Sequence, residues 1–165
     1  MSIVTLKGNT VHIYGSLPKI GTAAPDFILT NQNLEHCTLK NFPGKILLSI
    51  VPSLDTSTCL ISAQKFNKHI ASIPNTTLLY VSADLPFAQK RVCGAESLDH
   101  VQTLSLMRSK DFAKSYGVLI EDGPLEGVCA RAIIVLNENH HVIYTELVPE
   151  ITQEPNYDAA IASLL

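Results

Sequence analysis

The chain is poor in the features that mark several large classes of protein, and each shortage narrows what it can be. No uninterrupted apolar run approaches the roughly 20 residues that a membrane-spanning helix needs. The opening residues, Met1 to Thr10, lack the charged start and apolar core of a secretory signal. No basic cluster is present and the net charge is -3, so neither nucleic acid nor an anionic membrane surface is expected as a partner. No Pro/Gly/Ser-rich linker, charge block or internal repeat divides the 165 residues, a length that suits one domain with a substantial core. The expectation is a single soluble, cytoplasmic domain over residues 1–165. Its 4 cysteines, Cys37, Cys59, Cys93 and Cys129, include no C-x-x-C pair, so neither a thioredoxin redox motif nor a zinc knuckle is written here. In reducing surroundings such thiols serve chemistry more readily than structure. The histidines show no ligand spacing. His140 and His141 alternate to opposite faces beside a predicted turn, and His12, His36, His69 and His100 are scattered, so no metal and no cofactor is expected.

What the chain does contain is one cysteine at the mouth of a helix. Ile46 to Val51 is a short apolar run bounded by Gly44 and Pro52, which reads as a buried strand. Cys59, Ala63, Phe66 and Ile70 then recur at helical spacing on one face. A thiol in the first turn of a helix meets the positive end of the dipole and unpaired backbone N–H groups, which favour thiolate. Cys59 is therefore the candidate nucleophile. Pro52 fixes its own φ, ends the strand and shields what lies beneath the loop. Thr56, three residues before Cys59, either caps the helix or sets a hydroxyl beside a bound oxygen substrate. His69 lies almost three turns further on, where it meets the helix dipole rather than serving Cys59 as a base.

Arg131 interrupts the apolar stretch Gly127 to Leu136, where an unpaired charge is unfavourable, so something anionic should meet it. A thiolate with its substrate would serve, and so would Asp55, Glu126 or another carboxylate in a structural pair. Cys93 follows a short helix entered at Pro86 and precedes Gly94, read as a helix stop. It is either a small buried hydrophobe or a thiol able to move towards another. Cys37 lies in an alternating stretch and reads as a structural residue at a strand edge. Alternation from Arg131 places Cys129 on the same face, leaving open a further partner for another thiol, an oxidation-sensitive bystander or a cysteine that packs as alanine would.

Along the chain, Val4–Leu6 and Val11–Tyr14 read as a hairpin joined by Lys7 to Thr10. Further strands are predicted near 27–30, 46–51, 78–82, 132–136 and 142–147, the last two forming a hairpin about Asn137-Glu138-Asn139. Helices are predicted at 58–70, 86–92, 111–116 and 157–165. Strands alternating with helices, plus two antiparallel hairpins, indicate an α/β fold with a mixed central sheet, flanking helices and an N-terminal β-hairpin.

Pro52, Thr56 and Cys59 spell Pro-x-x-x-Thr-x-x-Cys, which resembles the peroxidatic motif of the peroxiredoxins. Val81 to Gln89, Cys93-Gly94-Ala95-Glu96, Asp122-Gly123-Pro124-Leu125 and Ala130-Arg131-Ala132 narrow the resemblance to the bacterial thiol peroxidase subfamily, the atypical two-cysteine peroxiredoxins. The likeness runs from about Lys7 to the C-terminal helix. It implies a thioredoxin-like fold and a thiol-dependent peroxidase of antioxidant defence, acting on hydrogen peroxide and alkyl hydroperoxides. In that reading Cys59 becomes a sulfenic acid, the first rung of thiol oxidation. Thr56 and Arg131 hold the peroxide, Pro52 keeps water off the thiolate, and Cys93 condenses with the sulfenic acid into an intrachain disulfide. A thioredoxin-like reductant then restores both thiols, and the resemblance implies a homodimer. The aliphatic Leu54, Leu60 and Ile61 near the Cys59 helix are candidates either for its contacts or for the lining of an alkyl hydroperoxide pocket. Two other readings stand beside it: a redox relay that hands the disulfide to a client protein, and a non-redox binding module on the same frame.

Overall fold

The computed structural model describes residues 1–165. The chain opens with strands β1 (Ser2–Leu6) and β2 (Asn9–Tyr14), paired antiparallel from Ser2 opposite Ile13 to Leu6 opposite Asn9. The turn is only Lys7-Gly8, with φ of 51° and 84°, so it is tighter than the four-residue connection predicted. Two successive left-handed residues make the primed turn whose twist suits a hairpin, and Gly8 takes that conformation without a Cβ penalty.

Next come β3 (Leu29–Thr30), β4 (His36–Cys37) and β5 (Lys45–Ile50). The strand expected from residue 27 begins only at Leu29, because the Asp26 carboxylate accepts the Phe27 N–H and withdraws it from the ladder. Cys37 lies on the edge strand of the sheet, as read from its alternating segment. Helix α1 (Ser57–Ile70), β6 (Thr76–Ser82), helix α2 (Pro86–Ala95) and β7 (Val101–Ser105) follow. The chain then runs through α3 (Asp111–Ser115), β8 (Leu119–Ile120), β9 (Ala132–Leu136), β10 (Val142–Leu147) and α4 (Tyr157–Leu164).

Seven strands form the central sheet in the order β10-β9-β5-β6-β7-β3-β4, and β1-β2-β8 form a second, smaller one. The β5–β6–β7 core is parallel, while β9, β10, β3 and β4 add antiparallel pairs, so the sheet is mixed. Strand β5 is buried on both faces, which is why it reads as continuous apolar sequence rather than alternation. Ile46, Leu48 and Ile50 enter one apolar cluster with Phe27, Phe112 and Tyr116. Leu47 and Val51 enter the other, with Phe66 of α1, Val92 of α2 and Ala160 of α4. A third, smaller cluster, including Val4, Val11, Ile120 and Ile151, seats the hairpin. Strands β7 and β8 were not predicted. Both are short, and the polar Thr103 and Ser105 of β7 are buried by their neighbours rather than by their own hydrophobicity. Helix α2 also passes through Gly94 to Ala95, so that glycine is not its stop.

Candidate active site

The register of the central sheet brings two distant segments together. Ile50 at the end of β5 pairs with Ala132 at the start of β9, so Val51 and Pro52 leave the sheet beside Arg131. Pro52 is buried there, and the strand runs Lys45–Ile50, one residue earlier at each end than the 46–51 predicted. The loop that follows is clasped by Asp84: its carboxylate accepts the Ser53 hydroxyl at 2.7 Å, the Leu54 N–H at 2.7 Å and the Ser82 hydroxyl at 2.7 Å. This clasp folds Leu54 inward, leaving it 1% exposed, so it is not the surface contact that the sequence suggested. Leu60 is half-buried and Ile61 is exposed.

Thr56 occupies the N-cap of α1 with extended backbone, but its hydroxyl caps nothing. It donates back to the Ser53 carbonyl at 3.1 Å and stays exposed, which leaves its oxygen free to accept. Cys59 is the third residue of α1, among the N–H groups that lack an intrahelical acceptor, and its side chain is fully buried. Arg131 Nη1 donates to Cys59 Sγ at 3.2 Å, and Arg131 Nε donates to the Ile151 carbonyl at 3.0 Å. The arginine is 2% exposed and forms no ion pair with any carboxylate. Asp55 pairs instead with Arg91, at 3.6 Å on the surface. Of the partners proposed for Arg131, a thiolate or a carboxylate such as Asp55 or Glu126, the structure supplies the sulfur. Beneath α1 the Tyr80 hydroxyl bonds Ser62 at 2.7 Å, and burial pushes this phenol far above its ordinary range. Tyr80 therefore stays neutral.

All four cysteines are free, and the central sheet divides them two and two. Cys59 lies in the cluster of α1, α2 and α4, and half-buried Cys93 packs against that same cluster. Burial raises the Cys93 thiol above its ordinary value, partly offset by the nearby Gln32 amide. Cys37 and Cys129 lie in the cluster across the sheet. The expectation that Cys129 shares a face with Arg131 fails because residues 129–131 are not a regular strand. Leu119 and Cys129 form an isolated bridge, and pairing with β5 starts only at Ala132, so alternation does not run through them. Burial drives the Cys129 thiol up to about 12.

Sequence reasoning missed two parts of the site. Asp84 lay inside a motif noted for its resemblance, yet nothing local showed that it would reach back 30 residues to Leu54. Ile151 offers only its backbone carbonyl, which leaves no mark in sequence.

Comparison with known proteins agrees with this geometry. The redoxin family model matches residues 19–161. The thiol peroxidase of Mycobacterium tuberculosis is 48% identical over 165 residues, covering 99% of each chain. Among solved structures, a peroxiredoxin-like protein from Aquifex aeolicus has a TM-score of 0.90 at 38% identity, covering 98% of this chain and 95% of that one. The thiol peroxidase from Chromobacterium violaceum also gives 0.90, at 26% identity, covering 95% of this chain and 92% of the other. No helix is long and apolar enough to cross a membrane. A match over most of the chain and a relative aligned end to end place it: the chain belongs to the redoxin family, among the thiol peroxidases that reduce peroxides with a cysteine thiol.

Proposed function

We propose that Cys59 is the peroxidatic cysteine and that Arg131, Thr56 and Pro52 build the peroxide site around it. The observation that carries this reading is the 3.2 Å approach of the Arg131 guanidinium to Cys59 Sγ at the start of α1. A fixed cation and a helix N-terminus both favour negative charge on sulfur. The thiolate attacks the terminal oxygen of hydrogen peroxide or an alkyl hydroperoxide. The O–O bond breaks, sulfur keeps the transferred OH as sulfenic acid, and the leaving oxygen takes a proton to become water or alcohol. Arg131 makes two hydrogen bonds to the protein, and Nη2 is not among the donors, so one arm of the fork remains for the oxygen that gains charge. The exposed Thr56 hydroxyl orients the other end of the substrate.

Cys93 is the resolving cysteine. Its sulfur attacks the Cys59 sulfenic acid, forming an intrachain disulfide and releasing water. A disulfide requires the two Cα atoms to lie within about 7 Å, and local opening of α1 or α2 would let half-buried Cys93 reach Cys59. Gly94 in the last turn of α2 weakens that helix, and the side-chain amide oxygen of buried Gln89 has no partner. A thioredoxin-like reductant returns both thiols. Exposed Ile61, Leu85 and Phe87 near the start of the two helices are suited to contact a second copy of the chain in a homodimer. The cytoplasm supplies the reductant.

The test is mass spectrometry of the reduced protein after one equivalent of hydrogen peroxide, followed by thioredoxin, its reductase and NADPH. The expected product is a Cys59–Cys93 disulfide that is promptly reduced, with no peroxide consumed by Cys59→Ser. Turnover retained in Cys59→Ser, or a disulfide to Cys129, would overturn the assignment.

A further inference from the structure

The strap Glu150-Ile151-Thr152 touches three parts of the molecule at once. On one side it is sewn to the N-terminal hairpin: the Thr5 N–H donates to the Pro149 carbonyl and the Ile151 N–H donates to the Thr5 carbonyl, each at 2.8 Å. In its centre the Ile151 carbonyl holds Arg131 Nε. At its far end the Thr152 carbonyl accepts the hydroxyl of Thr58, the neighbour of Cys59, at 3.1 Å.

The Glu150 carboxylate locks these contacts together. Oε1 accepts the Thr5 hydroxyl and the Gly8 N–H, each at 2.9 Å. Oε2 accepts the Thr152 N–H at 3.0 Å and the Thr152 hydroxyl at 2.8 Å. The side chain is paired with no cation. Four hydrogen bonds therefore account for its state, and they pull its pKa down to about 2. Arg131 has no carboxylate to aim it; apart from Cys59 Sγ itself, the Ile151 carbonyl is the hydrogen-bond partner that holds its guanidinium.

We propose that Glu150 is a positioning residue for the peroxidase reaction: by fixing the strap to the hairpin turn, it aims the Arg131 guanidinium at Cys59. The N-terminal hairpin, remote from the thiol in sequence, thereby becomes part of the site's support. This rests on Cys59 being the reactive thiol, as proposed above. A small displacement of a group poised at a reacting atom is enough for a large loss of rate.

The experiment uses full-length Glu150→Ala and Glu150→Gln, each made alone and together with Arg131→Met. Two readouts are taken: the pH profile of iodoacetamide alkylation at Cys59, and the rate with hydrogen peroxide. Glu150→Ala is expected to slow both at neutral pH by about tenfold and to move the alkylation profile to higher pH. Glu150→Gln, which keeps an acceptor, restores most of the loss. In the Arg131→Met background Glu150→Ala changes neither readout. The other titratable groups whose charge couples to this pair, Tyr80 beneath α1 and Glu154, are unaltered, so a shift reports on Arg131. A Glu150→Ala profile that superimposes on the parent's, or a shift that persists in the Arg131→Met background, overturns the proposal. If Glu150→Ala does not fold, Thr5→Val, which removes one of the four donors, carries the same comparison with a smaller shift expected. Alkylation at Cys59 is measured directly, so this result stands apart from whether Cys59→Ser abolishes peroxide consumption, the result on which the assignment of Cys59 turns.

Discussion

Replacing Arg131 separates two contributions that the structure joins in one side chain, its charge and its fork. Arg131→Met removes both. At 3.2 Å and an effective dielectric near 20, the gross attraction between guanidinium and thiolate is about 5 kcal/mol. Much of this is offset by desolvation, and hydrogen bonds to charged groups are worth a net ~1.5–3 kcal/mol. Taking the upper end, the rate with peroxide should fall by roughly two orders of magnitude. Arg131→Lys keeps the charge, but a single ammonium cannot serve both the Ile151 carbonyl and Cys59 Sγ from two separated nitrogens as the guanidinium does. It should retain part of the rate, on the order of tenfold below the parent. The sequence has no tryptophan, so the rate is best followed by competition with horseradish peroxidase for hydrogen peroxide.

Stability provides the control. In Arg131→Met the relief of a buried cation opposes the orphaned Ile151 carbonyl, whose loss of a partner costs about 1–3 kcal/mol. The melting temperature should therefore change by no more than about 5 °C. If Arg131→Met reacts within threefold of the parent, or if Arg131→Lys equals the parent, the roles assigned to charge and fork are wrong.

Three further outcomes are expected. Asp84→Ala leaves the Ser53 and Ser82 hydroxyls and the Leu54 N–H without their acceptor; the loop before Cys59 should loosen, and the peroxide rate should drop by about tenfold. A parent-like rate in that variant would show that the clasp is not needed. Burial holds the Cys93 thiol above its ordinary value, so at neutral pH it is protonated, and raising the pH below that value increases its thiolate about tenfold per unit. Disulfide formation, timed by quenched mass spectrometry, should accelerate from pH 7 to 9 in proportion, and a flat profile would refute control by Cys93 ionisation. Cys129→Ala, made across the sheet from Cys59, should leave both the peroxide rate and the Cys59–Cys93 pairing unchanged in peptide maps.

The legible parts of the fold were those whose signals are local. Strand β5 announced itself as an apolar run, α1 by the recurrence of Cys59, Ala63, Phe66 and Ile70, and the β1–β2 hairpin by two alternating segments about a glycine. Strand β7 was hidden because Thr103 and Ser105 are buried only by pairing with β6 and β3, a decision taken far away in sequence. The candidate site divides in the same way. Pro52, Thr56, Cys59 and Arg131 carry distinctive chemistry and were named. Leu54 was misplaced because Asp84 folds its loop inward, and Cys129 because strand periodicity was extended into a segment held by one bridge. The strap acts through carbonyls and through Glu150, an ordinary surface carboxylate by composition, so only its hydrogen bonds reveal it.

The division of the four thiols by the central sheet also makes the molecule a recorder of its own history. While β5, β6 and β9 stay paired, the sheet stands between the sulfurs on its two sides. A bond between Cys59 and Cys129 can close only in a chain whose sheet has come apart. In a stored or heated preparation that cross-link, read by peptide mapping, therefore marks molecules that have opened, whereas on the proposed assignment a bond between Cys59 and Cys93 marks molecules that have met peroxide.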